Sequence, residues 1–184
     1  EYNKFNDTFP LNSIAANCTG ITHINVAYAG LVIGGSIPST GLEQLTFLNL
    51  VKTGLVGSIP GEISRIERLD SFFADFNNLT GSLPASLGEL RNLTSLSLSY
   101  NNISGTIPST LGQLQLLEFL ALERNNLSGS VPSELASCTN LMEVRLYENH
   151  LSGDINFFCP RPALLTTLQS DCYLNCSCCT FCRP

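Results

Sequence analysis

Residues 101–114 read "NNISGTIPSTLGQL", and close copies of this stretch occur on both sides of it. The copies are "NNLTGSLPASLGEL" at residues 77–90 and "NNLSGSVPSEL" at residues 125–135. Across the repeated phrase the glycines lie 24 residues apart, at Gly57, Gly81, Gly105, Gly129 and Gly153. The prolines keep the same spacing, at Pro60, Pro84, Pro108 and Pro132. A fixed period of this length predicts a solenoid of stacked coils, in which each coil contacts mainly its neighbours.

Each coil contains one segment with the alternation of a short strand. In "LTSLSLSYN", Leu96 and Leu98 alternate with serines, which predicts a strand with one face turned inward. Successive strands are expected to lie side by side as a parallel sheet. After the proline, "STLGQL" offers Leu111 and Leu114 to the core from the opposite side. We therefore expect about six coils over residues 21–158.

An asparagine follows each strand at the point where the chain must turn. Its side-chain amide has two donor hydrogens and an acceptor oxygen. Stacked every 24 residues, these amides can bond backbone groups of adjacent turns that would otherwise be buried without partners. We predict a structural asparagine ladder at Asn77, Asn101, Asn125 and Asn149.

Composition excludes several classes of protein. The chain is 43% hydrophobic and 13% charged, which is typical of a folded domain. Its net charge of −6 and nine scattered basic residues argue against a nucleic-acid partner. The longest apolar run, residues 26–33, is about half of what a membrane span requires. We expect neither a nucleic-acid partner nor a membrane span in this chain.

The sequence shows no constellation typical of an enzyme. Its two histidines, His23 and His150, lie about five coils apart, and no nucleophile elbow, phosphate loop or zinc-protease motif occurs. The carboxylates are numerous, but no pair is marked out as acid and base. We therefore predict a protein that is not an enzyme and that needs no cofactor and no metal.

The pattern LxxLxLxxNxLSGxIPxxLGxL over residues 21–158 resembles that of plant-type extracellular leucine-rich repeat proteins, such as receptor-kinase ectodomains and polygalacturonase inhibitors. The resemblance implies a leucine-rich repeat solenoid, a curved right-handed coil of the α/β type. A parallel sheet would line its concave side, and short or 3-10 helices its convex side. It also implies recognition of a protein, peptide or glycan, usually on the concave sheet.

The two ends of the chain depart from the plant pattern. Residues 1–20 are expected to form a partial or divergent N-terminal cap, because "NCTGITHINVAYAGL" looks like the end of the plant cap without its usual tryptophan and second cysteine. Residues 159–184 are expected to form a degraded last coil and a disulfide-rich cap. The ending "LQSDCYLNCSCCTFC" is similar to the cysteine-rich cap of leucine-rich repeat proteins in diatoms and related algae.

Outward-facing strand positions are rich in aromatic and charged residues. Aromatic side chains beside arginine and aspartate are typical of recognition surfaces. The alternative is that some phenylalanine rings pack locally over the sheet edge. The predicted concave binding residues are Phe47, Phe73, Asp75, Phe76, Tyr100, Phe119, Arg124, Arg145 and Tyr147.

Two alternatives to a general ligand-recognition function remain open. The chain could be a structural subunit of a larger assembly, or, more narrowly, an inhibitor of a secreted hydrolase. Ice binding would require a regular threonine array, and the outward positions are irregular.

The terminal cysteines allow two interpretations. A zinc site is one, since a CxxC motif is present, but the spacing does not form two clean pairs and no histidine lies nearby. A disulfide cap over the exposed core of the last coil is favoured, because terminal repeats need such a cover. Its cysteines are Cys159, Cys172, Cys176, Cys178, Cys179 and Cys182, with 15 connectivities open.

Crowded cysteines and seven N-glycosylation sequons together favour an oxidising secretory compartment. We expect an extracellular or cell-surface location, or alternatively another oxidising lumen. The candidate glycosylation sites are Asn17, Asn78, Asn92, Asn102 and Asn126. Cys18 would lie on the order of 30 Å from the terminal cysteines, too far for a disulfide. Its partner is expected in a missing segment or on another chain.

Overall fold

The computed structural model describes residue 11 and residues 20–27, 36–38, 40–159 and 164–183. Among these residues the chain forms short strands and short 3-10 helices. The strands are β1 His23–Asn25, β2 Phe47–Asn49, β3 Val56–Gly57, β4 Ser71–Phe73, β5 Asn78–Leu79, β6 Ser95–Ser97, β7 Ser104–Gly105, β8 Phe119–Ala121, β9 Asn126–Ser130, β10 Glu143–Arg145, β11 His150–Ser152, β12 Thr167–Asp171 and β13 Phe181–Arg183. The 3-10 helices are Gly61–Arg65, Ala85–Glu89, Ser109–Gln113, Ser133–Ser137 and Asn156–Phe158.

The main sheet is parallel and advances one coil at a time. Its strand order is β1-β2-β4-β6-β8-β10-β12-β13. From β2 to β8 the register keeps the 24-residue step: Leu48 lies opposite Phe72, which pairs with Leu96 and then with Leu120. These four side chains are completely buried. The predicted leucine-rich repeat solenoid is therefore confirmed.

Proline starts each full 3-10 helix on the side opposite the sheet. Pro108 has φ −70° and ψ 135°, and its carbonyl accepts the amide of Leu111 at 3.1 Å. The Leu111 carbonyl then accepts the amide of Leu114, and both leucine side chains are completely buried. Only a few residues separate the proline from the next strand. The segment therefore forms two 3-10 turns, and there is no room for a longer helix. Within the described residues, no helix has the length and apolar character needed to cross a bilayer.

Two small sheets lie beside the main one, and the sequence analysis did not predict them. They have the orders β3-β5 and β11-β9-β7. Their strands follow the ladder asparagines in the segments that read "NLSGS" or similar. A glycine with positive φ, such as Gly105 at 79°, lies two residues after the apolar position, so these strands lack the regular alternation that identifies a strand from sequence.

Each ladder asparagine bridges two coils. The Asn101 amide nitrogen donates to Leu98 in its own coil at 3.0 Å and to Ala74 in the preceding coil at 2.9 Å. Its oxygen accepts the backbone amide of Leu79 at 3.0 Å. Equivalent bonds are made by Asn77, Asn125 and Asn149. In the first full coil Thr53 takes this position, and its hydroxyl donates to the Leu50 carbonyl.

The C-terminal end closes the ladder with different residues. At the ladder position Tyr173 donates its hydroxyl to the Asn149 carbonyl and to the Asp171 carboxylate. Asp171 also accepts the backbone amide of Glu148 at 2.7 Å. Burial, followed by the interaction with Asp171, raises the pKa of Tyr173 to about 12. Leu168 on β12 lies opposite Val144 on β10. The final strand β13, which pairs with β12, was not predicted from the sequence.

Two disulfides hold the terminal cap. They join Cys159 to Cys178 and Cys176 to Cys179. Cys172 and Cys182 stand as exposed thiols, although both were predicted to form disulfides. The hydrogen bond between the Cys172 thiol and Cys182 raises the pKa of Cys172, so the two groups are in contact. Cys18 lies outside the described residues.

The ladder yields a first prediction. Asn101→Ala leaves backbone groups in two coils without partners and is expected to lower the free energy of unfolding by about 1–3 kcal/mol. The control is Asn102→Ala, whose exposed side chain makes no hydrogen bond among the described residues; it is expected to change stability by less than about 0.5 kcal/mol. Urea denaturation of unglycosylated protein measures both, and equal effects would contradict the structural role of Asn101.

Close contact between adjacent 3-10 helices yields a second prediction. A Cβ atom on Gly88 would lie 2.2 Å from the backbone oxygen of Thr110, whereas one on Gly61 would meet nothing within 4 Å. Gly88→Ala is expected to cost about 1–3 kcal/mol, because backbone must move. Gly61→Ala is expected to stay within about 0.5 kcal/mol of wild type. Thermal unfolding of the two variants side by side checks this, and a tolerated Gly88→Ala would show that the coils stack more loosely.

The cap yields a third prediction. Glutathione disulfide is expected to oxidise Cys172 and Cys182 to a disulfide: its S–S bond breaks, it takes up the two electrons and two protons, and two molecules of glutathione leave. Strand pairing supports this, since Ser170 lies opposite Cys182 and the Cys172 amide donates to Arg183. Cleavage after Tyr173 and Phe181 separates the two cysteines, so non-reducing mass spectrometry can detect the link. Linkage of either cysteine to another partner would contradict the prediction.

Candidate functional site

A row of large side chains stands where the main sheet meets the asparagine turn. Lys52, Phe76, Tyr100, Arg124 and Glu148 each precede a ladder residue and have positive φ, for example 55° at Tyr100. This left-handed conformation is uncommon for bulky residues. The ladder imposes it here, because the Asn101 amide bonds the carbonyls of Leu98 and Ser99 around the turn. We call these five residues the rim row.

The middle of the rim row is stacked. The rings of Phe76 and Tyr100 are 4.1 Å apart with an interplanar angle of 18°, and Phe76 is 46% exposed. The Arg124 guanidinium lies 4.8 Å from the centre of the Tyr100 ring. Arg124 also binds Glu148 at 2.8 Å. These contacts join Phe76, Tyr100, Arg124 and Glu148 into one continuous surface.

Three other predicted aromatic residues, Phe47, Phe73 and Phe119, are half-buried and do not line up with the stacked rings. The Phe47 ring lies 6.1 Å from His23 and 5.9 Å from Phe73. Phe119 lies under the Arg145 guanidinium at 5.5 Å. Phe47 and Phe73 thus pack against neighbouring rings on the sheet, as in the alternative of local ring packing that the sequence left open.

A cavity of about 380 Å³ lies beside the rim row, on the exposed face of the main sheet. Five predicted residues line it, namely Asp75, Phe76, Tyr100, Arg145 and Tyr147. Four further lining residues were not selected from sequence, namely Val51, Ser97, Ser99 and Glu123. The strand alternation also turns these four to the sheet face, but small serines and a common glutamate give no signal of a site by themselves.

Carboxylates and serine hydroxyls form the floor of the cavity. Asp75 Oδ1 accepts the Ser97 hydroxyl at 2.5 Å and the Ser99 amide at 2.8 Å. Glu123 Oε2 accepts the Ser99 hydroxyl at 2.7 Å. The nearest guanidinium, that of Arg145, is 3.8 Å from Glu123 and is bound at 2.5 Å by Glu143 instead.

Glu123 is only 3% exposed, and burial raises the pKa of its carboxyl. The Ser99 hydroxyl, the backbone amide of Glu123 itself and the Arg145 charge oppose this shift without cancelling it. The burial of this carboxylate is therefore incompletely compensated. Tyr147 also differs from expectation: it is 9% exposed and lies under the Arg183 guanidinium at 4.6 Å.

The predicted glycosylation sites fall in two environments. Asn78, Asn102 and Asn126 are exposed; Asn78 and Asn126 begin lateral strands, and Asn102 lies two residues before β7. The Asn92 amide nitrogen donates to the Glu67 carbonyl at 2.7 Å, so this asparagine already makes a contact between coils. Asn17 lies outside the described residues.

The cap also brings three sulfur atoms together. Those of Cys159, Cys176 and Cys178 lie within 4.8 Å of one another. Because all three cysteines are in disulfides, they carry no thiolate for a metal ion.

Comparisons with known proteins agree with this architecture. A sequence model of the Leucine Rich Repeat family matches residues 92–114 and 116–138. A search of curated proteins finds no match. The chain is similar to the structure of the Arabidopsis receptor kinase HAESA in complex with the peptide hormone IDA and the co-receptor SERK1. That match has 30% identity and a TM-score of 0.75, and covers 82% of this chain and 26% of the other.

Two further structures are similar. In the BIR3–SERK2 complex from Arabidopsis thaliana the identity is 37% and the TM-score 0.57, over 64% of this chain and 63% of the other. A plant ice-binding protein matches with 29% identity and a TM-score of 0.66, over 82% of this chain and 47% of the other. The chain spans about a quarter of the length of the peptide receptors that it matches. Its fold is a leucine-rich repeat solenoid of the kind found in plant receptor ectodomains.

The buried carboxylate yields a fourth prediction. Because the pKa of Glu123 is raised above its ordinary value of 4.5, the folded chain holds this proton more tightly than the unfolded chain. The stability that the group contributes is full below about pH 4.5 and is lost as the pH rises through the folded pKa. The Glu123→Gln variant has no carboxyl group there and so does not lose this stability. Its free energy of unfolding, relative to that of wild type, is therefore expected to be higher at about pH 7 than at about pH 4.

Urea denaturation at the two pH values measures this difference. The control is Glu134→Gln, which removes an exposed carboxylate from the 3-10 helix Ser133–Ser137 and is expected to follow wild type at both pH values. A Glu123→Gln difference that does not change with pH would contradict the assignment.

Proposed function

We propose that this chain is a recognition module that binds an extended peptide, or an extended segment of a protein, on its concave face and catalyses no reaction. The observation that carries the proposal is the rim row beside the acidic cavity. Partly exposed aromatic rings there are held rigidly next to charged groups, an arrangement typical of binding hot spots.

The dimensions of the surface suit an extended ligand. The rim row crosses five coils, and parallel strands are about 4.8 Å apart, so it is roughly 19 Å long. An extended chain advances about 3.3 Å per residue, so roughly six ligand residues would span the row. Stacking restricts Phe76 and Tyr100 before binding, which reduces the entropy lost when a ligand orders them.

The comparisons support peptide recognition by analogy. Two similar structures are the plant peptide hormone receptor RGFR1 in complex with RGF2 and HAESA in complex with the peptide hormone IDA. The same analogy and the disulfide cap support an extracellular or other oxidising location. A glycan ligand, a hydrolase target and a structural role in an assembly remain the competing proposals.

We do not propose ice binding for this chain, although a plant ice-binding protein is among the similar structures. The exposed concave side chains are aromatic and charged rather than a regular array of threonines.

Selection from a random peptide library tests the proposal. Peptides of about twelve residues displayed on phage are selected on wild type, and then measured against Phe76→Ser/Tyr100→Ser. Loss of the stacked rings is expected to weaken binding about tenfold or more. Leu116→Ser is the control, because Leu116 is 46% exposed and does not line the cavity.

Binding that the control retains and the double variant loses supports the proposal, provided that both variants keep the wild-type circular dichroism spectrum. Equal binding by all three proteins, or a library that yields no binder, contradicts concave-face recognition and favours the structural-subunit alternative.

A further inference from the structure

The cavity beside the rim row carries negative charge that its surroundings do not cancel. Asp75 and Glu123 both line it, and Arg145 is the cation among the lining residues. The Arg145 guanidinium makes its short contacts, at 2.5 Å, with Glu143 and lies 3.8 Å from Glu123. Local charge therefore favours a cation in the cavity and disfavours an anion.

One carboxylate oxygen is available to a ligand. Both hydrogen bonds that Asp75 accepts from described residues, from Ser97 and Ser99, reach Oδ1. Among the described residues nothing donates to Oδ2, and Asp75 is only half-buried. Ser97 and Ser99 thus hold the carboxylate in place without using its second oxygen.

Glu123 provides a second negative charge beneath the surface. It is 97% buried, and the Ser99 hydroxyl is its one side-chain hydrogen-bond donor among the described residues. Its own backbone amide is a second neutral donor, and the Arg145 guanidinium comes no closer than 3.8 Å, so the burial of this carboxylate is only partly compensated. A cation that entered the cavity would interact with this charge at low dielectric constant.

Aromatic rings form the walls around these two carboxylates. Phe76 and Tyr100 are stacked along one side, and Tyr147 also lines the cavity. Aromatic faces attract ammonium and guanidinium groups, and they pack well against the aliphatic stem of a long basic side chain. Arg124 and Arg183 do not line the cavity, and both bind Glu148 instead.

We propose that the cavity receives a lysine or arginine side chain of the bound peptide and that Asp75 is the residue that selects it. This inference rests on the proposed function and names one feature of its ligand. The volume of about 380 Å³ is at the lower end of the range for ligand pockets, which suits a single side chain rather than a whole peptide. The basic head group would bind Asp75 Oδ2, and its stem would lie against Phe76 and Tyr100.

The peptides selected on wild type provide the test. They are expected to share a lysine or arginine at one position, and replacement of that residue by norleucine is expected to weaken binding about tenfold. Asp75→Asn is expected to cause a similar loss, because the amide oxygen can still accept from Ser97 and Ser99 while the charge is gone. Glu134→Gln makes the same change of net charge away from the cavity and is expected to bind like wild type.

The possible failures are distinguishable. Selected peptides that need Phe76 and Tyr100 but carry no shared basic residue, or that bind Asp75→Asn as well as wild type, overturn this inference and leave concave-face recognition standing. A library that yields no peptide dependent on Phe76 and Tyr100 overturns both. Free spermidine that displaces the peptides at equal concentration would assign the cavity to small amines and contradict a peptide side chain as its occupant.

Discussion

The rest of the structure depends on the hydrogen bonds of the ladder asparagines. Each amide spans two coils, since its nitrogen bonds carbonyls on both and its oxygen accepts an amide from the preceding coil. These bonds satisfy backbone groups that the sharp turn would otherwise bury without partners. They also hold the preceding residue in a left-handed conformation, which aligns Phe76, Tyr100 and Arg124 along one rim. The interaction that stabilises the solenoid thus also positions the residues that we propose for binding.

The sequence predicted the periodic part of this structure well and the non-periodic part poorly. The 24-residue step identified the coils, the strand columns and the buried leucines, because each coil has the same local environment. The left-handed rim was missed because bulky residues such as Tyr100 carry no signal for positive φ, unlike glycine. The lateral strands were missed because glycine interrupts their alternation.

In the candidate site, too, the sequence predicted some features and missed others. Strand alternation predicted that Asp75 and Arg145 face outward, but it could not show that Glu123 is buried or that Arg183 covers Tyr147. Those facts depend on side chains from coils up to two steps away and on the final strand β13, which breaks the period. The disulfide pairing also depends on three-dimensional proximity, so the sequence left 15 connectivities open.

The concave face combines a rigid frame with a local electrostatic cost. Burying Glu123 with weak compensation lowers stability near neutral pH, and functional sites commonly carry such costs. Amide hydrogen–deuterium exchange with a bound peptide tests the central claim most directly. Binding on this face is expected to concentrate protection in residues 71–76, 95–100, 119–124 and 143–148. Protection confined to the 3-10 helices on the opposite side or to the lateral strands would contradict it.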